Sequence, residues 1–355
     1  MQLKQRNKAE NLTKRRIFCP IKTFLPVIKF NHKQQIGDFD MKNHFKIEKN
    51  KIRTVSDNWK TQLGYWLMSA PGLFMVILFS YIPMIGIWLA FVDYKPAKGF
   101  LGSEFVGLKY FKQFLESTDL LRVLRNTIGY SIANLVILKL FVGILFALML
   151  YEIRNKVALK VYHTCMLLPA FLSWTVVSAA LLILLNPDVG VVNGWLKFWG
   201  LQPISWYREK SYWPYIIILA NIYKGAGMAS IYFYSALLSI DTELFDSANL
   251  DGANRLQQIW YISLPSLRSM FCLTLIMGMG GIINTSMAPY YQLTFNSTVL
   301  YDTTLTLGTY MYNGIGGGKY SFTTAVGLFD SVIGLIMTLG VNGIVKRIEP
   351  ESAMF

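Results

Sequence analysis

Three ionisable side chains sit inside long apolar runs: Lys139, Lys224 and Asp330. A charge held in a hydrocarbon environment is costly, so each marks a polar pathway or a buried pair. Lys224 carries the richest surroundings. Asn221, Lys224, Met228 and Tyr232 recur at helical spacing down one side of a helix, with Tyr223 beside them. A cavity lined by lysine, asparagine and tyrosine suits a polyhydroxylated solute, whose hydroxyls need hydrogen bonds and whose ring faces stack on aromatics. The alternative is that Lys224 pairs with Asp330, or with carbonyls at a helix end, and only holds the helices together. A later run, Met277-Gly-Met-Gly-Gly-Ile-Ile-Asn284, has glycines suited to close helix packing, with flexible methionines and Asn284 able to face a solute. Metal or acid–base chemistry is not indicated. The histidines are His32, His44 and His163, without paired spacing, and Cys19, Cys165 and Cys272 form no CxxC.

The composition explains why these few charges stand out. Of 355 residues, 53% are hydrophobic and 15% charged, yet the net charge is +14. A soluble domain carries about 25% charged residues. The two properties separate along the chain: residues 1–62 hold fifteen Lys/Arg against five Asp/Glu, ten of the fourteen net charges. A multi-pass, all-α membrane protein with a basic N-terminal tail is expected. The basic residues have no folded platform of their own, so no nucleic-acid partner is expected, although the tail can touch anionic lipid. That tail reads as disordered or as an overlong gene model, with Met41 a credible start.

Charge-poor runs place six spans, at about 66–91, 126–151, 160–185, 213–238, 270–289 and 322–345, within a domain of residues 63–347. Arg154, Lys156 and Lys160 in the link after the second span, and Lys346-Arg347 after the sixth, agree with the basic tail in placing both termini in the cytoplasm. The short tail 348–355 is then cytoplasmic too. The segment 239–267 is also cytoplasmic on this reading, yet it is acidic, with Asp241, Glu243, Asp246 and Asp251. It reads as two short helices. Asp241 caps the first, Gly252 ends it in a left-handed conformation, and the second runs from about Asn254 until Leu264-Pro265 breaks it. Leu244, Phe245 and Ala248 make one face of the first helix apolar.

Asp246-Ser247-Ala248, three residues, Gly252, nine residues, Ile262-Ser263-Leu264-Pro265 resembles the EAA signature of ABC-importer permeases. There the pattern is Glu-Ala-Ala, three residues, Gly, nine residues, Ile-x-Leu-Pro. The spacing agrees throughout, with Asp for Glu and Ser for Ala. Residues 65–347 resemble the polysaccharide-type branch of the maltose-permease-like family, through Phe79-Ser-Tyr-Ile-Pro-Met84, Phe105-Val-Gly-Leu-Lys-Tyr-Phe111, Asn126-Thr127, Leu168-Pro169, Gly190-Val-Val-Asn193, Asp251-Gly-Ala-Asn-Arg255 and Ala325-Val-Gly-Leu-Phe329.

The resemblance implies a type I ABC-importer permease fold in a bacterial cell membrane. It implies that Asp246, Ser247, Gly252, Ile262, Leu264 and Pro265 shape a coupling elbow, with Phe245 and Ala248 buried in a cleft of a separate ATPase. The implied partners are a second homologous permease, two ATPase subunits and an extracytoplasmic sugar-binding lipoprotein that meets loops 92–123, 186–212 and 290–320. Lys139 then has the alternative of pairing across the permease dimer. No Walker A sequence occurs, so ATP and Mg are expected on the ATPase and no cofactor on this chain. The implied activity is uptake of oligosaccharide or polysaccharide-derived sugars. A polytopic membrane enzyme is the first competing class, but it would need converging catalytic groups. The second is a secondary transporter, which should show an inverted repeat.

Overall fold

The computed structural model describes residues 59–100, 102–282 and 286–348. Asn284, nearly all of the basic segment 1–62, and the tail from residue 349 lie outside the described residues. The chain divides after Ile77 into two units. In the first, helix α1 (Trp59–Val76) is mostly apolar, its side chains from Gln62 to Val76 are exposed, and Pro71 lies inside it.

The second unit opens with irregular turns. A 3-10 helix, Ile82–Phe91, starts with Pro83 in its first turn. Proline has no N–H for the preceding turn, which favours such a change of winding. A two-residue antiparallel pair follows, β1 (Val92–Asp93) against β2 (Glu104–Phe105). Helix α2 (Lys109–Leu115) leads to α3 (Leu120–Ala133), a π-helix (Asn134–Val142) and α4 (Gly143–Tyr151), which together make a run of 32 residues. Helix α5 (Lys156–Leu167) is capped by Asn155, and α6 (Trp174–Leu184) by Ser173, whose hydroxyl accepts the Val176 N–H at 3.2 Å. After α7 (Val191–Phe198) comes α8 (Trp213–Leu238), 26 residues or about 39 Å long. Helices α9 (Thr242–Leu250) and α10 (Arg255–Gln258) lie at one end of α8. Then come α11 (Arg268–Gly280), α12 (Met287–Thr294), α13 (Leu307–Gly316) and α14 (Tyr320–Ile348).

Four helical stretches are long and apolar enough to cross a membrane: Gln62–Phe91, Leu120–Tyr151, Lys210–Leu238 and Tyr320–Arg347. Two bent pairs raise the number to six if each counts as one span. Lys156–Phe171 meets Trp174–Leu184 at 94°, and Arg255–Ser266 meets Arg268–Gly280 at 52°. Six helices were expected; the third, 160–185, holds a sharp bend, and a second bend lies just before the fifth, 270–289. Pro169 in the 3-10 turn Leu168–Phe171 and the Ser173 cap explain the first break. In the second, Pro265 does not stop the helix. A π-turn, Ile259–Ser263, winds past the Tyr261 carbonyl that Pro265 cannot satisfy, helix resumes over Leu264–Ser266, and the bend falls at Leu267. The expected span 270–289 also ends early, at Gly280. Three glycines at 278, 280 and 281 weaken helical propensity by about 1 kcal/mol each, and a separate helix begins at Met287 with Pro289 in its first turn.

The end of α8 remote from α9 is held by buried polar side chains. Asn126 donates to the carbonyls of Asp302 and Leu305, both at 3.1 Å, and Thr127 accepts the Leu307 N–H at 2.8 Å. Tyr130 donates to the Thr303 carbonyl at 2.7 Å. Asn193 organises the 186–206 loop in the same way: its amide donates to Pro187 and Ile204 carbonyls and accepts from the Ile204 N–H and the Trp206 indole.

Candidate functional site

The expected solute-facing residues separate into four places. Lys139 and Asn221 come together. With Ser131 and Asn134 on the 120–151 run, Gly278 and Gly281 at the end of α11, and Ser286 and Tyr290 around α12, they line a cavity of about 180 Å³ between helices. The π-helix that starts at Asn134 widens the backbone there, a deviation frequent where helices carry function. Tyr290 is buried and its ring lies 4.9 Å from that of Tyr130.

Lys224 is not among the lining residues. Its ammonium donates to the Ala170 carbonyl at 2.7 Å and to the Leu172 carbonyl, and sits 5.5 Å from the centre of the Trp174 ring. These carbonyls are freed where the chain leaves the 3-10 turn and bends by 94°. Of the alternatives open in the sequence, the helix-end carbonyls are the ones the lysine meets. Asp330 is 7% exposed on α14, its Oδ1 has no hydrogen-bond partner among the described residues, and no ion pair joins it to Lys224. Tyr223, Met228 and Tyr232 are exposed on α8 and do not line the cavity.

At the opposite end, α9 and α10 form a compact pair. Asp241 caps α9 through the Glu243 N–H at 3.0 Å. Gly252 has φ +77°, and the two bonds of a Schellman ending are present, Ala253 N–H to Ala248 at 2.9 Å and Gly252 N–H to Asn249 at 3.1 Å. Asn254 and Gln257 cap α10 reciprocally. Gln258, only 3% exposed, donates to Asn249 at 2.7 Å and to the Ala253 carbonyl at 3.0 Å, tying the helices across the turn. The pair is fastened to the end of α4 by Arg255–Glu152 at 3.9 Å and by Phe245, whose ring lies 5.9 Å from that of Tyr151. Phe245 and Ala248 are thus half-buried, and Leu244 and Leu250 hold the free side, Leu250 being 90% exposed. Asp246, Ser247 and Pro265 are exposed, Ile262 and Leu264 half-buried.

Charges mark the far end. Asp302 lies 2.7 Å from Lys210, 3.8 Å from Arg125 and 3.9 Å from Arg122. The hydrogen bond from Lys210, then its charge, holds the Asp302 carboxyl below its usual 3.8. Asp93 is lowered likewise, first by the hydrogen bond from Tyr110. A carboxyl whose folded value is depressed adds stability that is present above its unfolded value and lost as pH falls toward the folded one. The melting temperature in detergent should therefore hold from pH 7 to 5 and drop below about pH 4. Asp302→Asn should remove part of that acid slope; an unchanged slope would mean that the cluster does not stabilise this end.

Apolar helices, two of them broken, around a small polar cavity are the features of a membrane transport permease. Matches to known proteins give the family. The model of the "binding-protein-dependent transport system inner membrane component" matches residues 139–352, and the chain belongs to this family of multi-pass membrane permeases, which are not enzymes. It is 36% identical over 292 residues to protein LplB of Bacillus subtilis, covering 81% of this chain and 89% of that one. The polygalacturonan/rhamnogalacturonan transport system permease protein YteP of the same organism is 34% identical over 311 residues, covering 86% and 94%. Among solved structures, a bacterial ABC transporter involved in the import of the acidic polysaccharide alginate is similar, with TM-score 0.73 and 30% identity, over 82% of this chain and 99% of that one. The alginate transporter in complex with its alginate pentasaccharide-bound periplasmic protein matches equally well, with 31% identity.

The sequence reading followed charges, and so missed the uncharged polar residues of the cavity, Ser131, Asn134 and Ser286, and the tie through Gln258. An asparagine within an apolar run was the available signal for Asn134.

Proposed function

We propose that this chain is one of two permease subunits of an ATP-driven importer of oligosaccharides. Counting each bent pair as one span gives six, and the basic link and C-terminal end support a reading with both termini and the α9–α10 pair on the cytoplasmic side. The carrying observation is the α9–Gly252–α10 elbow, a rigid, capped helix pair with Leu244 and Leu250 free, fastened to α4. Its fit is a groove on a separate ATPase, which binds ATP and Mg and closes as a dimer. An extracytoplasmic lipoprotein delivers sugar to the opposite face, as supported by the alginate transporter and its periplasmic protein. Oligosaccharide as cargo is supported by the cargo named for YteP and for the alginate transporter. The cavity at Asn134, Lys139 and Asn221 lies on the route. At about 180 Å³ it is below the ~300–1,000 Å³ of ordinary ligand pockets, so sugar passes when the helices part.

The test is sugar-stimulated ATPase activity of the reconstituted transporter with its lipoprotein. Leu250→Arg, on an exposed side chain, should leave insertion and melting unchanged and cut stimulation at least tenfold, since a buried unpaired charge costs several kcal/mol at an apolar contact. Full stimulation in Leu250→Arg and in Leu244→Arg would refute the docking role.

A further inference from the structure

We infer that helix α7 is an interfacial anchor, its aromatic side seated among the headgroups and upper acyl chains of the leaflet remote from the elbow. The partner is a phospholipid surface. The inference uses the membrane location that the family gives, not the cargo. Helix α7 (Val191–Phe198) has two unlike sides. Val191, Trp195, Phe198 and the capping Trp199 fall at helical spacing along one of them, in a stripe about 100° wide. Trp195 is 71% exposed, Phe198 87% and Trp199 79%, and the stripe holds no ionisable residue. The other side is fixed to the protein. Asn193 is fully buried there by its bonds to Pro187, Ile204 and Trp206. Lys197, on the flank of that side, reaches back to the Asp188 carbonyl at 3.5 Å. Gly200, at φ +73°, ends the helix, and the Leu201 N–H closes onto the Leu196 carbonyl at 2.8 Å. Rolling α7 to hide its aromatic stripe would break the Asn193 bonds.

Place decides what covers the stripe. Residues 185–190 alone part α7 from the end of α6, and that link is coiled: the Asp188 and Val189 N–H groups donate to the Asn186 side chain at 2.9 and 3.1 Å. Six residues reach at most about 20 Å even when extended, so α7 lies close to the level where its span ends. Ile183 in the last turn of α6 and Val189 in the link are exposed as well, so apolar surface runs along the chain from the span into α7. The indoles point the same way. Trp206 donates to Asn193 at 3.0 Å and Trp213 to the Trp206 carbonyl at 2.8 Å, whereas neither Trp195 nor Trp199 donates to a protein acceptor among the described residues. A tryptophan at a bilayer interface keeps its ring at the acyl edge and gives its N–H to headgroup oxygens. A helix that is polar toward the protein, aromatic on its free side and joined to spans at both ends is built to lie in that plane.

The experiment puts a nitroxide on the full chain, with Cys19, Cys165 and Cys272 changed to serine, in liposomes of phosphatidylethanolamine and phosphatidylglycerol. Phe198→Cys and Lys197→Cys carry the label on the two sides of α7. Power saturation reads collisions with oxygen, which concentrates in lipid, and with a water-soluble nickel chelate. Oxygen should dominate at 198, and the order should reverse at 197. Dominance of nickel at 198 puts the stripe in water and overturns the inference. So do low rates for both at 198 in the assembled transporter, which would make the stripe a contact with another protein subunit. A second measurement needs no label. Trp195→Phe combined with Trp199→Phe removes two of the nine tryptophans. The emission difference between wild type and this variant should shrink in lipid brominated near the headgroup, and shrink less in lipid brominated near the chain end. A difference that is the same in both brominated lipids and in plain lipid overturns the inference, even where the labelled variants fail to insert.

Discussion

Gly227→Val should yield almost no folded protein. Helix α8 passes so close to the end of α5 that a β-carbon at Gly227 would overlap the Met166 carbonyl and lie 2.9 Å from the Leu167 nitrogen. Both are backbone atoms, next to a bend that is already fixed, so they cannot swing aside as a side chain would. Separating the helices would also strip Lys224 from its carbonyls. Overpacking of this kind costs roughly 3 kcal/mol or more. Gly225→Ala is the control. Its β-carbon would meet Leu138 Cδ2 at 2.9 Å, the tip of a flexible side chain, and about 1 kcal/mol is expected. Detergent-extracted yield and melting temperature measure both. A Gly227→Val protein that melts with the wild type would mean the two helices are further apart than described.

The second large effect is expected at Lys224. Lys224→Met keeps the apolar stem but removes two hydrogen bonds to the Ala170 and Leu172 carbonyls and the contact with Trp174. Carbonyls orphaned away from water cost about 1–3 kcal/mol each, so a loss of roughly 2–6 kcal/mol follows, and the bend between α5 and α6 loosens. The transport defect then has a signature. A lysine that contacted cargo would favour acidic over neutral oligosaccharide, and its loss would narrow that preference. A lysine that fastens a helix break lowers uptake of both by the same factor. Uptake of an acid and of its ester by Lys224→Met should fall together. If the acid alone suffered, the lysine would belong to the sugar route after all.

The elbow was legible because it depends on local rules. Asp241, Gly252 and Asn254 are where a cap, a left-handed ending and a second cap must stand, and each does what its type dictates. The bends were less legible, since proline acts through its setting. Pro169 sits beside a real break, whereas Pro265 is absorbed by a wide turn two residues upstream. Helical spacing put Asn221, Lys224, Met228 and Tyr232 on one side of α8, but a long lysine reaches away from its own stripe toward the strongest acceptors in range. Asn221, with a short side chain, stays at the cavity. Phe245, on the apolar face of α9, also has Tyr151 beside it from a distant part of the chain, a neighbour that spacing along α9 does not show.

The fastening of α9–α10 to α4 bears on how mechanical work would travel. Gly143, where α4 begins, lets that helix lie against α8 so closely that a β-carbon there would meet the Ala229 carbonyl at 3.1 Å. The elbow thus touches α4, and α4 in turn lies closely against α8. Three non-helical residues, 239–241, separate the elbow from α8, so the contacts to α4 are a second route by which a displacement at the elbow reaches the helices.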